Sequence, residues 1–157
     1  MAGAVSIFPC ATRAADAQQP TADTPPGWSA HDGPEGLRYF VPPGATNMDV
    51  YEAVFPRQQL SGTLEETTSG IWHGIVGSER IVDSKTTRIN VNDGAPAYEV
   101  AVASVDSQNR AVYRVFIVKL YGRTVAAGEL RFNDVDHMKS IGEPAYASLE
   151  NMVLQAP

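Results

Sequence analysis

The most constraining feature of the sequence is a run of four strand-like segments in its second half. These segments cover residues 86–92, 98–105, 110–120 and 124–132. Only short polar or glycine-containing turns separate them, and strands joined in this way pair with their neighbours in antiparallel fashion. The pattern therefore predicts an antiparallel β-meander.

The third segment is apolar on both of its faces. Residues 112–120 read Val-Tyr-Arg-Val-Phe-Ile-Val-Lys-Leu, which is typical of a central strand covered on two sides. The sheet therefore needs helices or loops on both faces. Small residues in the adjoining segments would let a helix approach the sheet closely: Ala101, Ala103, Ala126, Ala127 and Gly128.

Shorter strands and two helices complete the predicted order. Residues 37–41 and 51–55 read as strands that end at prolines, and residues 61–77 have the spacing of an amphipathic helix. A closing helix is expected to have Pro144 in its first turn and to end near residue 154. The predicted fold class is α+β, with an antiparallel meander sheet covered by helices.

The first helix carries local signals for its start, its end and its packing. Thr63 followed by Glu66 forms a capping box, and Gly77 is a suitable C-terminal stop. Gly70 and Gly74 each weaken a helix by up to about 1 kcal/mol relative to alanine. Their spacing predicts close packing of the helix on the sheet.

The N-terminal part differs in composition from the rest. Residues 1–17 are interpreted as the remnant of an export signal, because small apolar residues precede Ala15-Asp16-Ala17, which has the form of a cleavage site. Residues 18–35 are rich in proline and polar residues and are predicted to form a flexible tether. Residues 36–157 then form a single globular α+β domain. The alternative is an N-terminus without fixed structure in a cytoplasmic protein.

Charge and composition exclude several classes of protein. The chain has 12 Lys and Arg against 18 Asp and Glu, so its net charge of −6 disfavours nucleic acid as a partner. No apolar run is long enough to cross a bilayer. Cys10, the single cysteine, cannot form an intramolecular disulfide. We expect no cofactor and no metal.

No arrangement of residues predicts a catalytic centre. His73 has no nucleophile or carboxylate partner near it in sequence and is expected at an exposed or boundary position of the helix. Asp134, Asp136 and His137 carry ligand atoms suited to a divalent cation, but carboxylates near a helix start explain them more simply. The chain is therefore predicted not to be an enzyme.

A binding surface is predicted instead on a face or edge of the sheet beside the first helix. Arg114 alternates with apolar residues, so it either forms an ion pair with Glu99 or Glu129 or faces an anion in a groove. The candidate binding residues are Trp72, His73, Tyr98, Arg114 and Phe116.

The order of elements and turns resembles the PsbP-like superfamily, which includes the DcrB-like bacterial envelope proteins. The resemblance covers residues 36–154, and its matching features are the strand and turn Tyr39-Phe40-Val41-Pro42-Pro43-Gly44, the tryptophan-containing helix at 64–75, the hairpin entry at 94–97, the meander at 98–132 and the closing helix. It implies an α/β/α sandwich and a non-enzymatic accessory, assembly or binding role. No functional residue carries over from it.

These observations predict an exported, non-catalytic accessory or binding protein of the bacterial cell envelope, either periplasmic or secreted. Its partner would be a protein or a small ligand. One alternative is a cytoplasmic chaperone or adaptor that binds an apolar helix of a partner. Another is a small metal-dependent hydrolase that uses Asp134, Asp136 and His137.

Overall fold

The computed structural model describes residues 25–45 and 49–155, which form eight strands and two α-helices. The proposed export signal at 1–17 and the first part of the proposed tether, 18–24, lie outside the described residues. No helix in the described ranges is long and apolar enough to span a membrane. The elements are β1 (Ser29–Asp32), β2 (Arg38–Val41), β3 (Tyr51–Val54), β4 (Gln58–Gln59), α1 (Leu64–Val76), β5 (Arg80–Ile89), β6 (Ala97–Val105), β7 (Ala111–Tyr121), β8 (Thr124–Phe132) and α2 (Val135–Leu154).

The strands form one antiparallel sheet in the order β1-β2-β3-β8-β7-β6-β5. The predicted meander is confirmed, since β5, β6, β7 and β8 pair with one another in sequence order. The short strand β4 pairs with Thr124 and Val125 at the start of β8, before the part of β8 that pairs with β3. The two edges of the sheet are therefore β1 and β5.

The two helices lie on opposite faces of this sheet. Phe116 is fully buried against Trp72 of α1, whereas its neighbour Ile117 is fully buried against Leu149 of α2. Successive side chains of a strand point to opposite faces, so these contacts place α1 and α2 on different sides. The structure confirms the α+β class and the α/β/α sandwich.

Helix α1 begins and ends as its sequence signals predict. The backbone N–H of Glu66 donates to Thr63 Oγ1 over 3.1 Å, and the Thr63 N–H donates to Glu66 Oε2 over 2.8 Å, which completes the capping box. At the other end, Gly77 takes a φ of +58°, and its N–H donates to the carbonyl of His73. Glycine suits this position because it has no Cβ to clash at positive φ.

Helix α2 is longer than predicted and begins at Val135, so the prediction that Pro144 lies in its first turn is wrong. Asp134 caps the helix by accepting the His137 N–H over 2.7 Å. Pro144 lies inside the helix on its exposed side. The helix begins at the Asp134 cap, ten residues before Pro144, because the cap and not the proline sets its start.

Besides the two-residue strand β4, two exposed polar segments form strands that the sequence did not predict. Within the proposed tether at 18–35, residues Ser29–Asp32 pair with β2, so the sheet begins before residue 36. Strand β5 also begins at Arg80 rather than at residue 86. Both segments are exposed on both faces, so they lack the apolar alternation by which strands are recognised.

The end of α2 is fixed to the sheet by polar contacts. Lys119, whose side chain is 2% exposed, donates from Nζ to the carbonyl of Leu154 and to Asp93 Oδ2, both over 2.6 Å. Tyr121 donates its hydroxyl to the carbonyl of Val153 over 2.7 Å. These donors satisfy carbonyls at the end of the helix that have no partner within it.

The close approach of α2 to the sheet depends on Gly128. A Cβ at this position would lie 2.5 Å from Leu149 Cδ1, 3.0 Å from Val153 Cγ2 and 3.0 Å from the carbonyl oxygen of Ala53. The expectation that small residues of the meander allow close helix packing is therefore confirmed at Gly128.

We expect Gly128→Ala to lower the free energy of unfolding by about 1–3 kcal/mol, because the added methyl group overpacks a core without free space. Denaturant unfolding followed by circular dichroism measures this change. Gly70→Ala is the matched control: a Cβ there meets no atom within 4 Å, and the change removes a glycine from a helix interior. Equal stability of the two variants would contradict the proposed tight contact.

Candidate functional site

A groove of about 740 Å³ lies between α1 and the segment that follows β3. Pockets of this size hold small molecules or short peptide segments. The residues that line it are Phe55, Gln58, Gln59, Ser61, Gly62, Glu66, Thr67, Gly70, Ile71, Gly74 and Ile75.

The helix side of the groove consists of two glycines, which have no side chain, and of apolar residues next to them. Gly70 and Gly74 are one turn apart and exposed, and no atom lies within 4 Å of the position a Cβ would take at either. The prediction that these glycines pack on the sheet is wrong; they open the groove instead. Ile71 and Ile75, next to them on the helix, are partly buried and supply an apolar surface.

The opposite wall is fixed to the sheet. The N–H of Phe55 donates to the carbonyl of Ala127 over 3.0 Å, and Gln58 and Gln59 pair with β8. Both glutamines are exposed, and among the described residues β8 is the strand that pairs with β4. The wall therefore presents side-chain amides and a short open strand edge.

The end of the groove is closed by contacts between its two walls. Thr67 donates its hydroxyl to the carbonyl of Ser61 over 2.8 Å and accepts the Ser61 N–H over 3.2 Å. This exchange ties the connection between β4 and α1 to the first turns of the helix. The groove is thus a preformed feature of the fold.

The groove is suited to binding rather than to chemistry. Among the described residues that line it, none is a histidine, cysteine, lysine or arginine. Its single charged side chain, Glu66, is engaged in the capping box, and the hydrogen bonds from Thr63 lower the pKa of this carboxyl. Nucleophilic or acid–base catalysis needs a base placed against a reactive group, and the lining supplies no such pair.

The candidate binding residues predicted from the sequence lie mostly beneath α1. Trp72 packs on Phe116, which has no exposed surface, and Tyr98 is partly buried against the same helix. Arg114 is 5% exposed, and His73 is exposed and stacks on Trp72. The structure thus groups these residues around α1, but none of them lines the groove.

His73 is held by its own helix. Its Nδ1 lies 2.9 Å from the carbonyl oxygen of Ser69 and 3.1 Å from the Ser69 hydroxyl. This matches the exposed position expected for it. The structure shows no carboxylate hydrogen-bonded to this ring among the described residues.

Arg114 forms a buried ion-pair network at the C-terminal end of α1. Its Nε donates to Glu129 Oε1 over 2.7 Å, and its Nη1 and Nη2 donate to Glu79 over 2.5 and 2.9 Å. Of the two partners expected for Arg114, Glu129 is confirmed, whereas Glu99 lies on the other face and accepts the hydroxyl of Tyr146. An arginine with two carboxylates is satisfied within the fold.

The electrostatics of the network follow from burial and from these contacts. Burial raises the pKa of Glu129, while Arg114 and the Tyr51 hydroxyl oppose that rise. At Glu79 partial burial opposes ionisation, but hydrogen bonds from Arg114 and Ser104 outweigh it and lower the pKa. The network therefore neutralises Arg114 and joins the start of β5 to the sheet.

Asp134, Asp136 and His137 surround the start of α2. Asp134 uses one carboxylate oxygen to accept the His137 N–H and the other to contact His137 Nδ1 over 2.6 Å. The hydrogen bond from the His137 backbone lowers the pKa of Asp134. In the described ranges, no group of three or more His, Cys, Asp and Glu residues is arranged to hold a metal ion. These contacts agree with the helix-start interpretation.

One buried titratable group was not anticipated from the sequence. Glu52 has no exposed surface; its Oε1 accepts a 3.4 Å hydrogen bond from Ser148, and its Oε2 has no hydrogen-bond partner among the described residues. Burial raises its pKa to about 8. Alternation along β3 was the available signal, because it places Glu52 on the same face as Val54. That face is covered by α2, so the sheet separates Glu52 from the groove.

The structure and the comparisons agree on the class of fold. The sequence matches no protein-family model and no curated protein. A cyanobacterial PsbP from Synechocystis is similar to this chain. The match covers 82% of this chain and 81% of the PsbP chain, with a TM-score of 0.54 and 12% identity. LpqN, involved in cell envelope biogenesis of Mycobacterium tuberculosis, matches over 87% of this chain and 82% of the LpqN chain, with a TM-score of 0.54 and 10% identity. A Pseudomonas aeruginosa protein of unknown function covers 83% of this chain and 98% of its own, with a TM-score of 0.49 and 11% identity.

An antiparallel sheet between two helices defines the α/β/α class of the protein. Within that class, the matches to PsbP and LpqN show that the chain has the PsbP-like fold. The resemblance inferred from strand order and turns is therefore confirmed at the level of the fold. At 10–12% identity the likeness extends to the fold alone.

We expect the stability of the protein to fall as pH rises from about 4.5 to about 8, by roughly 4 kcal/mol from Glu52. In this range the folded state keeps the proton on Glu52 while the unfolded chain releases it. Above the folded-state pKa the loss is complete. Denaturant unfolding of the wild type and Glu52→Gln at several pH values isolates the effect. If the difference between the two proteins does not change with pH, Glu52 is ionised in the folded state.

Proposed function

We propose that this protein is an exported, non-catalytic accessory or binding protein of the bacterial cell envelope. Its α1 groove holds a neutral, partly apolar segment of a partner. The observation that carries the proposal is the preformed groove, which Gly70 and Gly74 leave open along one side of the helix. The PsbP-like fold and the envelope role given for LpqN support the class of function.

The chemistry of the lining favours an uncharged occupant in an extended conformation. Ile71, Ile75 and Phe55 offer apolar contacts, while Gln58 and Gln59 offer amides that can both donate and accept hydrogen bonds. An extended peptide can also add to an open strand edge through its main chain. A strongly charged ligand would find no opposite charge in the groove besides Glu66.

The N-terminal composition supports the exported location. The small-x-small sequence Ala15-Asp16-Ala17 follows a small, weakly apolar stretch, and proline-rich residues separate it from the folded part. A tethered binding domain is a reasonable arrangement for a protein that holds a partner near the membrane.

A second candidate is a cytoplasmic chaperone or adaptor that binds an apolar helix. It rests on the spacing of Gly70 and Gly74, because two exposed glycines one turn apart let another helix come close to the backbone. Helical and extended probe peptides of the same composition distinguish the two candidates by their affinity.

Gly70→Leu is expected to weaken binding of groove ligands by about tenfold or more, because the added side chain fills the groove. An array of short neutral peptides that alternate Val or Leu with Thr or Ser identifies a ligand. Titration calorimetry then gives Kd for the wild type and the variant. Replacement of a helix glycine stabilises the helix, so lost binding with equal or higher thermal stability excludes unfolding as the cause.

Ser69→Leu is the matched control for this substitution. It adds the same side chain without a change of charge, and Ser69 is turned by about 100° from Gly70 and does not line the groove. Its Kd should remain close to that of the wild type. Equal affinities of all three proteins for the peptide would contradict binding in the groove.

Mass measurement of the protein isolated from its native cells tests export. We expect it in the envelope or extracellular fraction, with a mass that corresponds to loss of the first 17 residues. A full-length chain in the cytoplasmic fraction would refute export and favour the chaperone or adaptor. This result does not depend on the peptide measurements, so location and groove binding can fail separately.

A further inference from the structure

The chain itself contains a neutral, partly apolar stretch of the kind that the groove beside α1 is suited to hold. Residues 2–12 read Ala-Gly-Ala-Val-Ser-Ile-Phe-Pro-Cys-Ala-Thr and carry no charged side chain. The large apolar residues of this stretch are Val5, Ile7 and Phe8. The stretch belongs to the proposed export signal at 1–17, so it is present in the uncleaved chain and is lost at export.

The groove and this stretch match in charge. The described residues that line the groove include no lysine, arginine or histidine, and Glu66 is held in the capping box. Burial of a charged side chain without an opposite partner is costly, so this lining favours a neutral segment. The residues that follow the stretch, 13–24, include Arg13, Asp16 and Asp23. The neutral stretch is therefore the part of the N-terminal sequence that suits the groove.

The length of the groove suits a short extended segment. Its lining residues on α1 run from Glu66 to Ile75, and nine steps of about 1.5 Å along a helix give roughly 14 Å. An extended chain rises about 3.3 Å per residue, so roughly four residues fill this length. Residues 5–8 are a run of four that contains all three large apolar side chains of the stretch.

The chain is long enough to bring residues 5–8 to the groove of the same molecule. Strand β1, four residues after Pro25, pairs with β2, and β2 pairs with β3. The groove begins at Phe55, directly after β3, so two strand spacings of about 5 Å and one strand length of about 13 Å separate the two places. Residues 9–24 can span up to about 50 Å.

We propose that residues 5–8 of the uncleaved chain bind in the groove beside α1 and block it until the export signal is removed. This inference rests on the proposed function of the groove and adds a regulation to it. A tethered segment binds at an effective concentration on the order of 1 mM. A segment with an intrinsic Kd of about 100 µM then fills about nine tenths of the grooves and raises the Kd of a free ligand about tenfold.

Cys10, the single cysteine, allows the contact to be observed in the full chain. A nitroxide label on Cys10 broadens the nuclear magnetic resonance signals of amides near it. We expect loss of the Gly70 and Gly74 signals but not of the Gly142 signal, because Gly142 lies in α2 on the opposite face of the sheet. A mixture of nitroxide-labelled chains and isotope-labelled Cys10→Ser chains reports contacts between molecules, and we expect no loss there. Loss of signal in this mixture, or only on other surfaces, overturns the proposal.

Phe8→Asp tests the block through ligand affinity. It places a charge without an opposite partner in the groove, so the segment should dissociate. The Kd of the uncleaved chain for the neutral peptide identified by the array should then fall by about tenfold in titration calorimetry. Ala14→Asp is the matched control, because it adds the same charge to the N-terminal segment outside the neutral stretch. Its Kd should equal that of the wild type.

The possible results separate this block from the proposed function of the groove. Peptide binding with the same Kd in the wild type and in Phe8→Asp overturns the block but leaves the groove as a binding site. Absence of peptide binding in Phe8→Asp, together with unchanged Gly70 and Gly74 signals in the labelled wild type, contradicts both. Signal loss that Phe8→Asp abolishes, together with its lower Kd, supports the block.

Discussion

The structure depends on one constraint: β7 is buried on both of its faces. Phe116 and Ile117 are neighbours in sequence, point in opposite directions and are both fully buried. Burial of an aromatic or aliphatic side chain of this size contributes about 1.5–3 kcal/mol, so neither face of β7 can be left to solvent. One helix is therefore needed on each side, and the lengths and positions of α1 and α2 follow from that need.

Two helices cannot cover a sheet of this width, and the uncovered parts are where interactions are available. Helix α2 reaches from β7 to β3, and Gly128 lets it lie close to the sheet. Helix α1 is centred on β6 and β7, so a groove remains between it and the segment after β3. Neither helix packs closely on the strand Arg80–Ile89, which stays open along its whole length. The groove and the open edge at β5 are two consequences of the same geometry.

Sequence reasoning succeeded where a signal is local and failed where an element depends on distant contacts. The bounds of β8 and the capping box of α1 were predicted, because alternation and the Thr63–Glu66 spacing are contained within the segments themselves. Strand Ser29–Asp32 has no apolar face and exists through its pairing with β2. The groove could not be predicted, since its two walls are neighbours in sequence but the space between them depends on how each packs on the sheet, β4 against β8 and α1 against β6 and β7. The glycines that open it were noticed, but their direction relative to the sheet is a tertiary property.

The charged residues buried within the sandwich and the uncharged groove have different roles. Arg114 and Lys119 each meet their partners inside the fold, so their chemistry is used for structure. Gly70 and Gly74 are the opposite case. Each costs the helix up to about 1 kcal/mol relative to alanine, yet the described structure has no atom close enough to require a glycine at either position. The fold thus gains nothing from these two residues, whereas a ligand that approaches the helix backbone would. This mismatch between cost and packing is the strongest physical argument that the groove is a binding site.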